Sequence, residues 1–436
     1  MVSNLDFNNR LTYKDLIGSG DVDNSLPEET EERKAVRFFG FVERVLRQHS
    51  NLDSLGRFRF HLTASEGNCK VMQGCLDKME LVFGSQIEAI EWWVWDATRF
   101  RNLPSIWRLP ESFYTLKNLK DVNLHHVIMG ADGPVSLPSL KNLNLWKAKF
   151  TDFDSLSRLI SGCPVLETLC LEYCAVVVAN ENDFLIASMP SLRNLRIVGL
   201  GNDGYEDLCP IAMEAPMLTD LYLEDFSELQ FLGSSSPLTC LCSARVDTNE
   251  GGGSYDSLIR LLTQISNVKE MCLDRKTLEF LSAGNDVQRL VFPNLTHLTI
   301  QPTEWCSSRV LHSLLHSASK LQSLVINVWF AYGPMRWEET EPTGTQQCLQ
   351  SSLEEIEINA FDPLEGDVKM VGYLLNAGAV LKKLHVNLFS DPTKEECKEL
   401  RSLLKLPRES STCKVRITLV GEENDIKLDD DGINLR

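Results

Sequence analysis

The sequence predicts an α/β fold in which a curved parallel sheet lies on the inside of a stack of repeats and helices lie outside. Three observations support this prediction. With 436 residues, of which 43% are hydrophobic, the folded chain is longer than one compact core usually allows. A short apolar phrase recurs through most of it, and stretches with helical apolar spacing separate the copies. A stack of repeats accounts for all three features.

The recurring phrase has the pattern apolar-x-x-apolar-x-apolar. Its ten copies begin at Leu119, Leu140, Leu166, Leu192, Leu218, Val268, Leu295, Leu321, Leu353 and Leu381. The copies between Leu140 and Leu218 start 26 residues apart, and a degenerate copy lies around 241–246. The last two apolar side chains of each copy point to one face of a strand, and stacked neighbours are needed to bury that face. This is the pattern of a leucine-rich-repeat solenoid.

The chain before residue 100 is irregular. Residues 33–49 have the apolar spacing of an amphipathic helix, residues 56–63 alternate like a half-buried strand, and a second helix and the strand IEAIEWWVW follow. We expect residues 36–100 to form an N-terminal cap, with Trp92 packed inside it and Trp93 partly on a protein-facing surface. A tryptophan platform for a ligand is the alternative. Residues 1–35 are polar, and we expect them to be partly disordered.

Leucine-rich repeats are predicted over 101–330. The helical spacing of apolar residues is clear in DSLSRLISGCP, YDSLIRLLTQISN and SRVLHSLLHSASK. Residues 331–347 contain glycine and two prolines and are predicted to be a loop. Residues 348–420 are predicted to add further strand–helix units that cap the C-terminal end, and residues 421–436 are an acidic tail.

The charge balance excludes several partners. Lysine and arginine total 43 against 61 aspartate and glutamate, a net charge of −18, which disfavours binding to nucleic acid or to an anionic membrane. The sequence shows no secretory signal and no apolar run long enough to span a bilayer. Its 13 cysteines are scattered without a CxxC pair, which favours reduced thiols. We therefore expect a cytoplasmic or nuclear protein.

The sequence gives little support for catalysis. It contains no GxSxG, P-loop or HExxH motif. His312 and His316 are four residues apart on a predicted helix, but two histidines alone make a poor metal site. We predict that the protein is not an enzyme and has no catalytic, cofactor-binding or metal-binding residues.

The predicted binding surface is the concave strand face. The residue between the last two apolar positions of each phrase points to this face. The candidate protein-binding residues are Asn144, Arg196, Tyr222, Thr299, Glu357 and His385. Arginine and tyrosine are residue types that dominate binding at interfaces. The alternative is that these are tolerated surface residues with no partner.

Three segments resemble the plant F-box/LRR/FBD proteins. Residues 38–51 (FFGFVERVLRQHSN) are similar to the segment that follows the F-box, and 135–174 are similar to the central repeat of the family. Residues 348–419 resemble the FBD region, including an LxxLPRxSSxC ending at Cys413. The resemblance implies that 348–420 is the FBD region, that 1–35 follows an F-box, and that the protein is a substrate receptor of an SCF-type ubiquitin ligase.

One departure from the family bears on function. In these proteins a helical F-box precedes the phrase SNLDF, whereas here VSNLDF follows Met1 directly. The resemblance therefore implies the substrate-recognition portion of an F-box-type subunit, without catalysis of its own. An SCF adaptor is a partner only if an upstream F-box exists; the other expected partner is an unknown protein on the concave face. The alternative is a stand-alone LRR/FBD binding module, or a degenerate family member unable to recruit the ligase.

Overall fold

The chain folds into two compact units, Met1–Leu218 and Thr219–Arg436. A computed structural model describes residues 4–8, 37, 40–42, 44–45, 56–64, 87–96, 107–176, 185–201, 211–226, 229–232, 238–248, 255–284, 286–328, 346–390, 392–419, 427–429 and 432–434. Parallel strands with buried leucine and isoleucine side chains build both units.

The first unit consists mainly of short parallel strands. They are β1 (Asn4–Asn8), β2 (Arg57–Ala64), β3 (Ala89–Asp96), β4 (Trp107–Arg108), β5 (Asp121–His125), β6 (Val127–Met129), β7 (Asn142–Trp146), β8 (Lys149–Phe150), β9 (Thr168–Glu172), β10 (Ala175–Val176), β11 (Leu185–Ser188), β12 (Asn194–Val198) and β13 (Ile211–Glu214). Strands β1, β2, β3, β5, β7, β9 and β12 pair in that order, each parallel to the next. A second set pairs as β4, β6, β8 and β10, and β11 pairs with β13.

A left-handed corner follows four strands of the first unit. His126, Lys147 and Tyr173 have φ of 55°, 51° and 53° and come directly after β5, β7 and β9, and Gly199, with φ of 55°, follows β12. At three of these corners the chain turns directly into the second set of strands, β6, β8 and β10. The corners thus fix where the first set of strands ends in each repeat.

The second unit continues the parallel pattern. Its strands are β14 (Asp220–Phe226), β15 (Leu229–Phe231), β16 (Ser243–Thr248), β17 (Glu270–Leu273), β18 (His297–Ile300), β19 (Ser323–Asn327), β20 (Glu355–Phe361), β21 (Lys383–Leu388), β22 (Lys414–Leu419), β23 (Lys427–Asp429) and β24 (Gly432–Asn434). Strand β14 pairs with β16, and the parallel series then runs from β16 through β22 in order. Strands β23 and β24 add antiparallel pairings.

The described residues of 37–45 are helical, and seven further α-helices have bounds within the described residues. They are α1 (Phe153–Ser161), α2 (Tyr255–Gln264), α3 (Arg275–Ala283), α4 (Ser308–Ser317), α5 (Gln347–Ser351), α6 (Glu365–Ala377) and α7 (Lys394–Leu404), and 3₁₀ helices span Glu111–Thr115 and Asp286–Arg289. Helix α1 begins where the Asp152 side chain accepts a hydrogen bond from the main-chain N–H of Ser155. The buried face of the helix carries Leu156, Leu159 and Ile160.

The mixed α/β class and the large parallel sheet are confirmed. Each of the ten phrases contributes a strand, and the degenerate copy around 241–246 forms most of β16. The predicted packing of Trp92 is confirmed, because it is 3% exposed and its ring centroid lies 4.7 Å from that of Phe60. Trp93 is half-buried, and its protein-facing role stays a prediction.

The structure differs from the sequence prediction in the spacers. No α-helix is present between β5 and β7 in the continuously described stretch 107–176; β6 lies there instead, because Gly130, Gly133 and Pro134 follow and interrupt any helical run. Strand β1 lies within the segment expected to be partly disordered, and β23 and β24 lie within the expected acidic tail. The second cap helix and all but the last two residues of the 331–347 loop fall outside the described residues. The predicted domain boundaries stay a prediction.

Candidate protein-binding face

One residue from the middle of each paired strand lies on the face opposite the buried leucines; we call this set the middle row. In the first unit it is Asp6, Arg59, Glu91, Asn123, Asn144, Cys170 and Arg196, joined pairwise by strand register. In the second unit it is Tyr222, Arg245, Cys272, Thr299, Val325, Glu357, His385 and Arg416. The side chains before and after each middle residue are buried in most of these strands, so the middle residue faces away from the core.

All six predicted binding residues lie in the middle row. Asn144 and Arg196 belong to the first unit, and Tyr222, Thr299, Glu357 and His385 to the second. Whether they bind a partner stays a prediction.

Sequence reasoning missed five charged members of the row, including Asp6 at its first position. Arg59 and Arg416 lie outside the ten phrases, Glu91 lies in an irregular early copy, and Arg245 lies in the degenerate copy. The alternation in RFRFHL and in CSARVD was the available signal for Arg59 and Arg245, because alternate strand residues share a face.

An aromatic outer row lies two residues after the middle row on three strands of the first unit. Its members are Trp93 of β3, His125 of β5 and Trp146 of β7. The ring centroids of Trp93 and His125 are 3.9 Å apart, and those of His125 and Trp146 are 5.2 Å apart. The ammonium of Lys147 lies 4.5 Å from the Trp146 ring. Burial, and secondarily the nearby His126, lowers the pKa of His125 to about 4, so its ring is neutral at pH 7.

Ion pairs flank this aromatic row. Arg59 Nε lies 2.8 Å from Glu91 Oε2, and Arg196 Nε lies 2.6 Å from Glu172 Oε1. Burial alone raises the pKa of Glu91, but the hydrogen bonds from Arg59 and His61 outweigh it and lower the pKa below its ordinary value. These four charges of the first unit's strand face are therefore paired.

The strands β14, β16 and β17 of the second unit hold a denser charged cluster. Tyr222 donates its hydroxyl to Glu224 Oε2 at 2.6 Å, and Arg245 Nε donates to Asp274 Oδ2 at 2.7 Å. The Arg245 guanidinium lies 5.3 Å from the Tyr222 ring centroid. Burial, followed by the charges of Asp274, Asp225 and Glu224, raises the pKa of Asp247 to about 7.

Amide side chains connect the far strands of the second unit. Asn359 donates to Asn327 at 3.0 Å, and Asn387 donates to Asn359 at 2.6 Å and to Glu357 at 3.2 Å. His385 Nε2 lies 2.8 Å from the Thr418 hydroxyl. The predicted residues Glu357 and His385 thus belong to a hydrogen-bonded network that crosses β19 to β22 and orients both side chains.

Within the described ranges, no three histidine, cysteine, aspartate or glutamate side chains are grouped so as to hold a metal ion. Among the helices of those ranges, none has the length and apolar character required to cross a membrane.

A glycine spacing that the sequence reasoning missed occurs at 199–204, GLGNDG, which fits GxGxxG. In a dinucleotide site this spacing opens a helix whose N-terminus holds phosphate. Here Gly199 forms the left-handed corner after β12, Gly201 bridges to Ala175, and the next described element is the strand β13. Gly199 and Gly201 therefore serve the turn of a repeat, and Gly204 lies outside the described residues.

Comparisons with known proteins agree with this architecture. Residues 97–238 match the family described as the LRR repeats of FBD-associated F-box protein At5g56370, and residues 341–386 match the FBD family. Three relatives come from Arabidopsis thaliana. Putative F-box/FBD/LRR-repeat protein At1g66290 is 29% identical over 88% of this chain and 86% of its own length. F-box/FBD/LRR-repeat protein At1g78750 is 30% identical over 71% of this chain and 68% of its own length. F-box/LRR-repeat protein 13 is 31% identical over 71% of this chain and 69% of its own length.

The parallel strands, the recurring phrase and the match over 97–238 define a leucine-rich-repeat protein. The FBD match, and the similarity to relatives over more than two thirds of their length, identify the family within this class of protein. The chain belongs to the plant F-box/FBD/LRR-repeat family.

Proposed function

We propose that this chain is the substrate-recognition portion of an F-box-type subunit of an SCF ubiquitin ligase. It performs no chemistry itself and holds a target protein near the ligase, so that proximity supplies the effect. The observation that carries the proposal is family membership across both the LRR and FBD regions. The rival is a stand-alone LRR/FBD binding module, or a degenerate family member, that recruits no ligase.

We also propose that the strands curve into a solenoid with the middle row on the concave side. Each repeat contributes one strand to the face, and adjacent strands are about 4.8 Å apart. Helices such as α2 and α4 on the other side need about 10 Å each. Because each repeat is narrower on its strand side than on its helix side, stacked repeats bend toward the strands. An experimental structure should therefore show the strand side of each unit as its concave side, and a flat sheet would contradict the curvature.

The middle row suits a protein target better than a small molecule. It presents separate, ordered side chains in register, including the interface-prone types Arg196 and Tyr222. The outer row adds Trp93 and Trp146, which supply large apolar contact area.

Site-specific photocrosslinking in plant cells tests the proposal. A photoreactive residue at Thr299 reports on the strand face, and the matched control at the exposed Glu399 of α7 reports on the helix side. We expect Thr299 to capture a protein that Glu399 does not capture, and that protein to become more abundant when the gene is deleted.

The recruitment step has its own test. We expect an SCF adaptor to copurify with the endogenous protein, and the 5′ end of the native transcript to read through an F-box into Val2. If the adaptor is absent and the abundance of the captured protein is unchanged in the deletion line, the stand-alone binding module is the better description.

A further inference from the structure

The strand face of β14, β16 and β17 is strongly acidic. Strand β14 presents Asp220, Tyr222 and Glu224, and strand β16 presents Ser243, Arg245 and Asp247. Strand β17 presents Glu270 and Cys272, and Asp274 directly follows the end of this strand. These are five carboxylates and one guanidinium. We call this surface the acidic strand face. On the next strands, β18 and β19, the corresponding residues are His297, Thr299, Ser323, Val325 and Asn327, which carry no formal charge.

The guanidinium of this face is already engaged. Arg245 is bonded to Asp274, which is 2% exposed, and lies against the Tyr222 ring. The Tyr222 hydroxyl is bonded to Glu224. Asp247 lies between these groups, and its Oδ1 is enclosed without a hydrogen-bond partner in the described part of the chain. Arg275 lowers the pKa of Asp247, but the pKa still stands well above its ordinary value. The negative charge here is therefore only partly compensated.

Elsewhere on the strand face, carboxylates have a cation or a hydrogen-bond donor close by. In the first unit, Glu91 and Glu172 each have an arginine within 2.8 Å. On the far strands of the second unit, Glu357 accepts a hydrogen bond from Asn387, and Glu355 pairs with Lys383 at 2.6 Å. On the acidic strand face, by contrast, carboxylates lie close together and the described cations do not balance their charge.

We propose that the acidic strand face docks an extended basic segment of a partner protein, with a lysine or arginine side chain entering beside Asp247 and lying against Tyr222. This inference rests on the proposed function, since it names the chemistry of the target recognised by the strand face. A cation beside Asp247 relieves the repulsion among Glu224, Asp247 and Asp274 and gives Asp247 Oδ1 a donor. Nucleic acid and anionic membranes carry the wrong charge for this surface.

The first test is direct binding to the full chain, measured by fluorescence anisotropy at low ionic strength. The probes are a labelled peptide of four Gly-Ser-Arg repeats and the same peptide with glutamine in place of arginine. We expect the arginine peptide to bind at least about tenfold more tightly, because close charge pairs at interfaces contribute on that scale. Equal affinity for the two peptides would overturn the inference.

Paired variants separate a local site from the general attraction of a chain of net charge −18. Asp247→Asn with Glu224→Gln removes two charges from the acidic strand face. The matched control, Glu395→Gln with Glu399→Gln, removes two exposed charges from α7. We expect the first pair to abolish the preference for the arginine peptide and the second pair to keep it. Equal losses in both would show diffuse attraction and contradict a local site.

Thermal melting guards against misfolding as an explanation. Removing repelling carboxylates should leave the melting temperature of the Asp247→Asn, Glu224→Gln variant unchanged or higher, while its binding falls. A lower melting temperature together with lost binding would instead indicate a structural role. Failure here is distinguishable from failure of the proposed function: a chain that still captures its target at Thr299 and copurifies an SCF adaptor remains a receptor, with a target of different chemistry.

Discussion

The guanidinium of Arg408 donates a hydrogen bond to the main-chain oxygen of Cys413 at 3.0 Å and a second to that of Leu404 at 2.8 Å. Leu404 is the last residue of α7, and Cys413 directly precedes β22. The arginine of LPRESSTC therefore closes the loop between helix and strand, and satisfies a carbonyl that the end of the helix leaves without an intrahelical partner. This gives a physical role to a motif that the sequence offered only as a family resemblance.

Replacing Arg408 with alanine should destabilise the second unit. Losing two charge-assisted hydrogen bonds costs about 1–3 kcal/mol, and each kcal/mol lowers the melting temperature of a domain this size by about 2–4 °C. Arg408→Lys should give an intermediate loss, because a single ammonium lacks the planar fork of donors. The control is Arg401→Ala, on the exposed side of the same helix. Equal melting temperatures for Arg408→Ala and Arg401→Ala would contradict the role assigned to Arg408.

The second prediction concerns Asp367, in the first turn of α6. It is 1% exposed, and neither carboxylate oxygen has a hydrogen-bond partner among the described residues. Burial, and secondarily the charge of Asp362, raises its pKa from 3.8 to about 7. Between these two values the folded state keeps a proton that the unfolded state releases. The stability contributed by this group is therefore full below 3.8 and falls as the pH rises toward 7.

Asp367→Asn should remove that pH dependence. We expect the wild-type chain to lose on the order of a few kcal/mol more than the variant between pH 4 and pH 7. Urea unfolding across this range measures the difference, with Glu399→Gln as an exposed carboxylate control. Parallel stability curves for wild type and Asp367→Asn would show that Asp367 finds a partner in solution.

The third prediction pairs two glycines for which alanine should have opposite effects. Gly199 has φ of 55°, and a Cβ there would lie 3.0 Å from the Tyr173 ring. Gly199→Ala should therefore cost about 1–2 kcal/mol. Gly372 lies inside α6, where a Cβ would meet only Leu406 at 3.8 Å, so Gly372→Ala should stabilise by about 0.5–1 kcal/mol. Denaturant unfolding of both variants checks the signs, and a stabilising Gly199→Ala would refute the left-handed corner.

The repeat phrase predicted the strands and the middle row because both follow from periodicity alone. Arg196 and Tyr222 lie at fixed positions within the phrase, and no knowledge of distant contacts is needed to place them on the strand face. The spacers were harder, because a glycine does not by itself mark a spacer without a helix. Gly130 lies in a spacer that has no helix, whereas three glycines at 251–253 lie in the spacer that forms α2.

The charged cluster at Tyr222 could not be predicted from the phrase. Arg245 lies in a degenerate copy, and its partner Asp274, 29 residues later, follows the end of a phrase. Their pairing depends on the register between β16 and β17 and on the side-chain conformations. The aromatic row of Trp93, His125 and Trp146 could have been predicted from the sequence. Each of its residues lies two positions after a middle-row residue, on β3, β5 and β7.

The last prediction concerns the C-terminal strands. Leu324 and Ile326 of β19 are fully buried and are register partners of Ile356 and Ile358 of β20. Deleting 348–436 removes β20 to β24 and should expose this apolar strand, so that the chain oligomerises. The control deletion, 421–436, removes only β23 and β24 and should keep the oligomeric state of the full chain. Size-exclusion chromatography with light scattering distinguishes these outcomes. If the longer deletion is monomeric with an unchanged melting temperature, then residues 348–420 do not cap the repeats.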